Sequence, residues 1–233
     1  MFEVWQDEGM TTVPKTRTVL SLESVLEESV AGLDEIGAEK MSLRALAKRL
    51  GAGVSSIYWY VDSKNQLLDM SVDRVLADVV ATVDPDSDPF DAIRDIAVRL
   101  FETIDEHQWC AGRITQDPVR QLNSVRILDL VGRQLSRVGL PVDDQFHSAT
   151  AILGFVIGLG TQMVGAQNLA GDAVTRLAYL DAAANRWKDV DPDELPFVHT
   201  ASAVLREHDD AEQFSFGLDL LLDGIRQRQA RRL

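Results

Sequence analysis

The chain has 233 residues, a single cysteine and a formal net charge of −14, with 45% apolar and 26% charged residues. That is enough chain for a sizeable core in one or two domains, with the apolar share of a soluble globular protein. The lone Cys110 excludes an intrachain disulfide framework and fits a reducing cytosol, while the acidic balance excludes indiscriminate nucleic-acid binding. No basic segment leads into an apolar run near the N-terminus, so no secretory signal is expected and the expected location is cytoplasmic.

In chain order, residues 1–17 read as a flexible arm, with Met10 as an alternative start. A first helix is expected from about Thr18 to Ile36, apolar at Val19, Leu22, Val25, Leu26, Val30 and Leu33, and ended by Gly37. Leu43 to Tyr60, LRALAKRLGAGVSSIYWY, then reads as a helix-turn-helix. Leu43, Leu46, Ala47 and Leu50 make one apolar face, and Ser42 is placed as its N-cap. Gly51 closes the helix, because glycine enters the left-handed cap without steric penalty. Ala47 is small where a second helix must cross closely, and Ile57, Tyr58 and Val61 restart an apolar face after the turn. Between Lys40 and Lys64 there are five basic residues (Lys40, Arg44, Lys48, Arg49 and Lys64) against the single acid Asp62, so the rest of the chain carries −18. A small basic module on an acidic body suits a protein that touches DNA in one place.

Ser63 is expected to cap a helix from about Lys64 to Val83, and Asp88-Pro89 to open another from about Phe90 to His107 after the loop DPDSDP. Further helices are expected over about Asp117–Arg137, over 143–167 and over about Ala211–Gln229, while 171–197 reads as less regular. Strand patterning and internal repeats are absent. Gln145 to Gly171 carries no Asp, Glu, Lys or Arg, but its glycines and amides and the lack of a basic flank argue against a membrane span. GFVIGLG lacks the preceding strand and glycine order of a dinucleotide site. Helices 143–167 and 211–229 carry more apolar surface than one small domain covers. They are therefore expected to pair with those of a second copy in a four-helix bundle.

MSLRALAKRLGAGVSSIYWYVDSKNQLLDM resembles the DNA-binding domain of TetR-family transcriptional regulators, with Gly51, Tyr58, Trp59, Lys64 and Leu67–Leu68 in the family's order. FSFGLDLLLDGI near the C-terminus is similar to the last helix of the tetracycline-repressor branch. The resemblance implies an all-α fold: a three-helix N-terminal DNA-binding domain over 18–63, and a helical ligand-binding and dimerisation domain over 64–233 entered through a connecting helix, 64–83. It implies a homodimeric repressor on a palindromic operator of double-stranded DNA, released by a small, largely apolar effector.

Carried over residue by residue, Arg44 falls on a base-reading arginine, suited to guanine O6 and N7. Ser55 and Ser56 open the recognition helix. Tyr58 and Tyr60 fall on backbone contacts, Trp59 on an aromatic at the groove, and Lys64 on a phosphate-binding lysine. Of Tyr58 and Trp59 one is expected to pack, with Tyr58 the better candidate for DNA. Val54 replaces a base-reading glutamine, so the operator should differ from that of the tetracycline repressors. The histidine and acid that hold magnesium–tetracycline in that branch have no counterpart, so tetracycline is not expected.

Effector candidates are Phe101, His107, Trp109, Arg113, Gln116, Asp129, Phe155, Gln162 and Met163. No zinc-type histidine spacing, nucleophile elbow or P-loop is present, so neither enzyme, metal nor cofactor is expected. The alternative is a protein-interaction module of the same fold that no longer binds DNA.

Overall fold

The structure, a computed structural model, describes residues 20–81, 84, 86–114, 121–170 and 173–231. Among these are ten α-helices and no strand: α1 (Leu22–Lys40), α2 (Leu43–Arg49), α3 (Val54–Ile57), α4 (Lys64–Ala81), α5 (Pro89–Glu106), α6 (Leu122–Arg137), α7 (Val142–Ala170), α8 (Ala173–Lys188), α9 (Pro196–Arg206) and α10 (Asp210–Ala230), with a single 3-10 turn at Gln108–Cys110.

Several helix starts follow from their caps. Ser21 and Ser24 form a reciprocal capping box, each side-chain oxygen accepting from the other's backbone N–H. The first helix therefore begins at Leu22, later than the apolar pattern alone suggests. Gly37, at φ 77°, breaks its regular path. Ser42 accepts from Ala45 N, Ser63 from Gln66 N, and Asp88 from Phe90 N and Asp91 N.

Two apolar cores result. Val25, Leu33, Met41, Leu46, Ile57 and Leu67 belong to the first, made by α1–α3 and the start of α4. The second lies between α4, α5, α6, α7 and α10. The connecting helix α4 serves both, giving Leu67 and Leu68 to the first and Val72, Leu76 and Val79 to the second. Each fully buried Leu or Ile here is worth about 1.5–3 kcal/mol in apolar transfer. Where α1 crosses α4, the buried hydroxyls of Ser29 and Ser71 bond at 2.9 Å. Where it crosses α2, a Cβ on Gly32 would strike the end of Met41 and stand 3.1 Å from Arg49 Nε.

One expectation changes. Within the expected irregular stretch 171–197, the described residues 173–197 are largely helical: α8 runs to Lys188, the DPDEL stretch turns the chain, and α9 follows from Pro196. The periodicity was weak because α8 buries only Leu180 and Ala184 among its described side chains and owes its helix to five alanines. The long apolar helix α7 is long and apolar enough to cross a membrane. In this fold it is a core helix, buried on one side through Ala149, Ile152, Val156, Leu159, Met163 and Val164. Its other side, with Phe146, Ala151, Gly154 and Gly158, is exposed in the single chain.

Candidate DNA-binding and effector sites

Ala47 (1% exposed) and Ile57 (0%) meet at the centre of the helix-turn-helix, and Gly51 turns the chain between them at φ 62°. The backbone requires glycine there, since L side chains rarely adopt that region. The recognition segment is short: one α-turn, Val54–Ile57, continued by turns through Tyr60.

That geometry sorts the aromatic residues. Tyr58 is 54% and Trp59 87% exposed, so neither packs inward. The packed ring is Tyr60, half-buried against the first core, whose hydroxyl donates to the Leu20 carbonyl ahead of α1. Three successive residues on a turn of about 100° per step cannot all face the core, and the third is the one aimed at α1. Ser55 is exposed and Ser56 half-buried at the head of the segment.

The basic residues also divide. Arg49 forms ion pairs with Glu35 and Glu28 of α1; the hydrogen bonds its guanidinium donates to these carboxylates, Glu35 foremost, raise its pKa above the ordinary arginine value. The Lys64 ammonium donates to the Glu39 carbonyl at 3.0 Å. Lys40, Arg44 and Lys48 are exposed, and among the described residues their side chains have no hydrogen bond or ion pair. The outward set on the helix-turn-helix is thus Arg44, Lys48, Tyr58 and Trp59, while Lys40 ends α1 and lines the groove that also holds Asp105 and Trp109.

The eight effector candidates among the described residues do not share a pocket. Phe101 and Phe155 flank Phe214 in an aromatic stack, with centroids at 4.3 and 6.1 Å, and Met163 is core. Asp129 pairs with Arg133 at the surface, and Gln162 is exposed. His107, Trp109 and Arg113 bond to Asp34 of α1 and Asp69 of α4, at the junction of the two cores. Gln116 lies outside the described residues.

An apolar cleft of about 460 Å³ opens instead between α6 and α7, lined by Val125, Leu128, Leu153, Gly154, Ile157 and Gly158. It adjoins a 40 Å³ space walled by Leu76, Leu100, Ile114 and Ile127, and Ser124, Leu153 and Ile157 border both. Among the described residues neither lining carries a charged side chain, and Ser124 and Thr150 are the polar groups. No Cβ contact crowds Gly154 or Gly158 at this cleft.

Comparison with known proteins agrees with this geometry. Residues 25–70 match the family of bacterial regulatory proteins, tetR family, and residues 84–229 match the tetracyclin repressor-like C-terminal domain. The solved transcriptional regulator SCO7222, a TetR from Streptomyces coelicolor, is 32% identical at a TM-score of 0.76, covering 88% of this chain and 97% of that one. An HTH-type transcriptional regulator of Saccharopolyspora erythraea is 28% identical over 62% of this chain, and the match spans only 61% of that regulator's length. The HTH-type transcriptional repressor DrrR1 of Streptomyces coeruleorubidus is 26% identical over 99% of this chain and 86% of its own.

Proposed function

From the premise that the chain belongs to the tetR family of bacterial regulatory proteins, we propose that it is a cytoplasmic, homodimeric repressor that binds a palindromic operator and leaves it when a small apolar molecule binds. The carrying observation is the outward set on the helix-turn-helix: the cations Arg44 and Lys48, unpartnered among the described residues, and the exposed rings of Tyr58 and Trp59. A module that had given up DNA would have no use for that surface, so the interaction-module reading is not favoured.

In this reading Arg44 reads a base edge, Ser55 and Ser56 approach bases or phosphate, and Lys48 and Lys64 meet phosphates. Residues 18–63 form the reading head, and 64–233 form the effector and dimerisation body. The exposed sides of α7 and α10, with Phe146, Phe216 and Leu220, cover one another across the two-fold axis. Two recognition segments then lie about 34–36 Å apart, one helical repeat of DNA. The α6–α7 cleft takes the effector, its lining selecting an uncharged, mostly apolar molecule with at most one or two hydrogen-bonding groups. Effector and operator oppose one another through a coupling of about 1–3 kcal/mol, so each weakens the other by the same factor.

The test is selection from a random duplex pool with the purified dimer at near-physiological salt. A two-fold symmetric site is expected; a folded dimer that enriches nothing overturns the reading.

A further inference from the structure

We propose that Trp109 and Asp34 form a latch that fixes the orientation of the helix-turn-helix head on the body, making both positioning residues for operator binding; the proposal rests on the DNA-binding reading above. Trp109 is half-buried and packs against both apolar cores. Its indole Nε1–H donates to Asp34 Oδ1 of α1 at 2.7 Å, and His107 Nδ1 lies 2.9 Å from the same oxygen. A carboxylate oxygen only accepts, so Nδ1 is the protonated ring nitrogen. One oxygen on the head therefore holds two donors from the body, both on the short segment that follows α5.

That segment is gripped from behind. Gln108 donates to the side-chain oxygen of Gln167 on α7, and the Gln167 amide donates in turn to Asp105 at 3.1 Å. Arg113, four residues beyond Trp109, pairs with the buried Asp69 of α4 at 3.1 Å. On the head side, Glu35 adjoins Asp34 in the chain and takes Arg49 of α2. The two neighbouring carboxylates thus bind opposite ways, one to the body and one to the helix-turn-helix. A displacement of the 3-10 turn against α1 reorients α1 and carries α2 with it. Ile114, farther along the same segment, walls the apolar space beside the α6–α7 cleft, which puts the latch within reach of whatever fills that space.

A purely electrostatic role for Asp34 predicts the opposite behaviour, because removing a negative charge from the head strengthens attraction to phosphate. The experiment uses the full-length dimer and the selected operator duplex. Operator affinity is measured beside the inter-head distance, taken by electron–electron resonance between spin labels on an exposed Asp62→Cys. Trp109→Phe and Asp34→Ala are each expected to weaken operator binding about tenfold and to broaden the distance distribution. The double variant should be no weaker than the worse single, and Asp34→Asn, which keeps an acceptor without the charge, should recover most of the affinity. Affinities within about twofold of the parent with unchanged distances overturn the latch. So does tighter binding by both Asp34→Ala and Asp34→Asn. If the parent dimer enriches no duplex, the DNA-binding reading fails instead, and the distance distributions of Trp109→Phe and Asp34→Ala still decide the latch.

Discussion

The ring of Phe155 on α7 rests on the bare Cα of Gly217 on α10, so closely that a Cβ at position 217 would overlap the ring edge. The ring cannot withdraw, because it is stacked on Phe214, which is stacked in turn on Phe101 at 4.3 Å. Gly217→Ala should therefore overpack this face and cost about 1–3 kcal/mol, lowering Tm by several degrees for a chain of this size. Combined with Phe155→Leu, the substitution should cost less than the sum of the two single changes, as read from thermal melts of all four proteins.

Arg44→Ala and Lys48→Ala separate base reading from phosphate contact. The first should cost about 1–3 kcal/mol on the selected operator and flatten preference at one position in each half-site. The second should weaken all duplexes alike and reduce the slope of log K against log salt by about one per half-site contact. Titrations against operator variants at two or more salt concentrations distinguish them. Equal losses with unchanged sequence preference would contradict the assignment of Arg44.

Much of the fold was legible because caps and periodicity carry most of it. Ser42, Gly51, Ser63 and the Asp88-Pro89 pair act as read, and the fully buried Leu46 and Ile57 sit where their spacing put them. What periodicity cannot convey is which polar partner a side chain finds across space. Arg49 counted as a free cation until Glu28 and Glu35 lay beside it, and Tyr60 looked like a surface ring until its hydroxyl met the Leu20 carbonyl. The cleft was invisible for a related reason. Cavities come from the distance between helices, here α6 and α7, and residue types alone do not set that distance.

Gly158 borders the α6–α7 cleft with open space beyond its Cα, so Gly158→Leu should fit without strain and fill part of that volume. A neutral apolar dye such as Nile red should bind the parent dimer with enhanced fluorescence and bind the Leu variant several-fold more weakly, with thermal stability held or raised. Equal dye binding by both proteins would place the apolar site elsewhere.

Cys110 is fully buried, and that burial, more than the nearby Asp34 carboxylate, pushes its thiol up to about 12. The native protein should resist iodoacetamide at pH 8 and react promptly once denatured, since only the thiolate attacks. The sign for stability follows from the raised value. At neutral pH both folded and unfolded thiols are protonated and the group contributes nothing. As pH rises past the unfolded value near 8.5 the unfolded chain loses its proton first, so stability falls. Cys110→Ala should reduce that alkaline decline, as melts between pH 7 and pH 10 would report.

The internal neutralisation of Arg49 by Glu28 and Glu35 bears on how such a protein finds its site. A genome offers on the order of 10⁶–10⁹ random positions, and every outward cation lengthens the stay on each of them. With the Arg49 charge balanced at the surface by Glu28 and Glu35 and an acidic body behind, each wrong stop is brief and few molecules are held by decoy sequence. Travel then proceeds mostly through solution and little by sliding along the duplex. A modest number of copies in a cell can thereby keep a single operator occupied and still vacate it quickly.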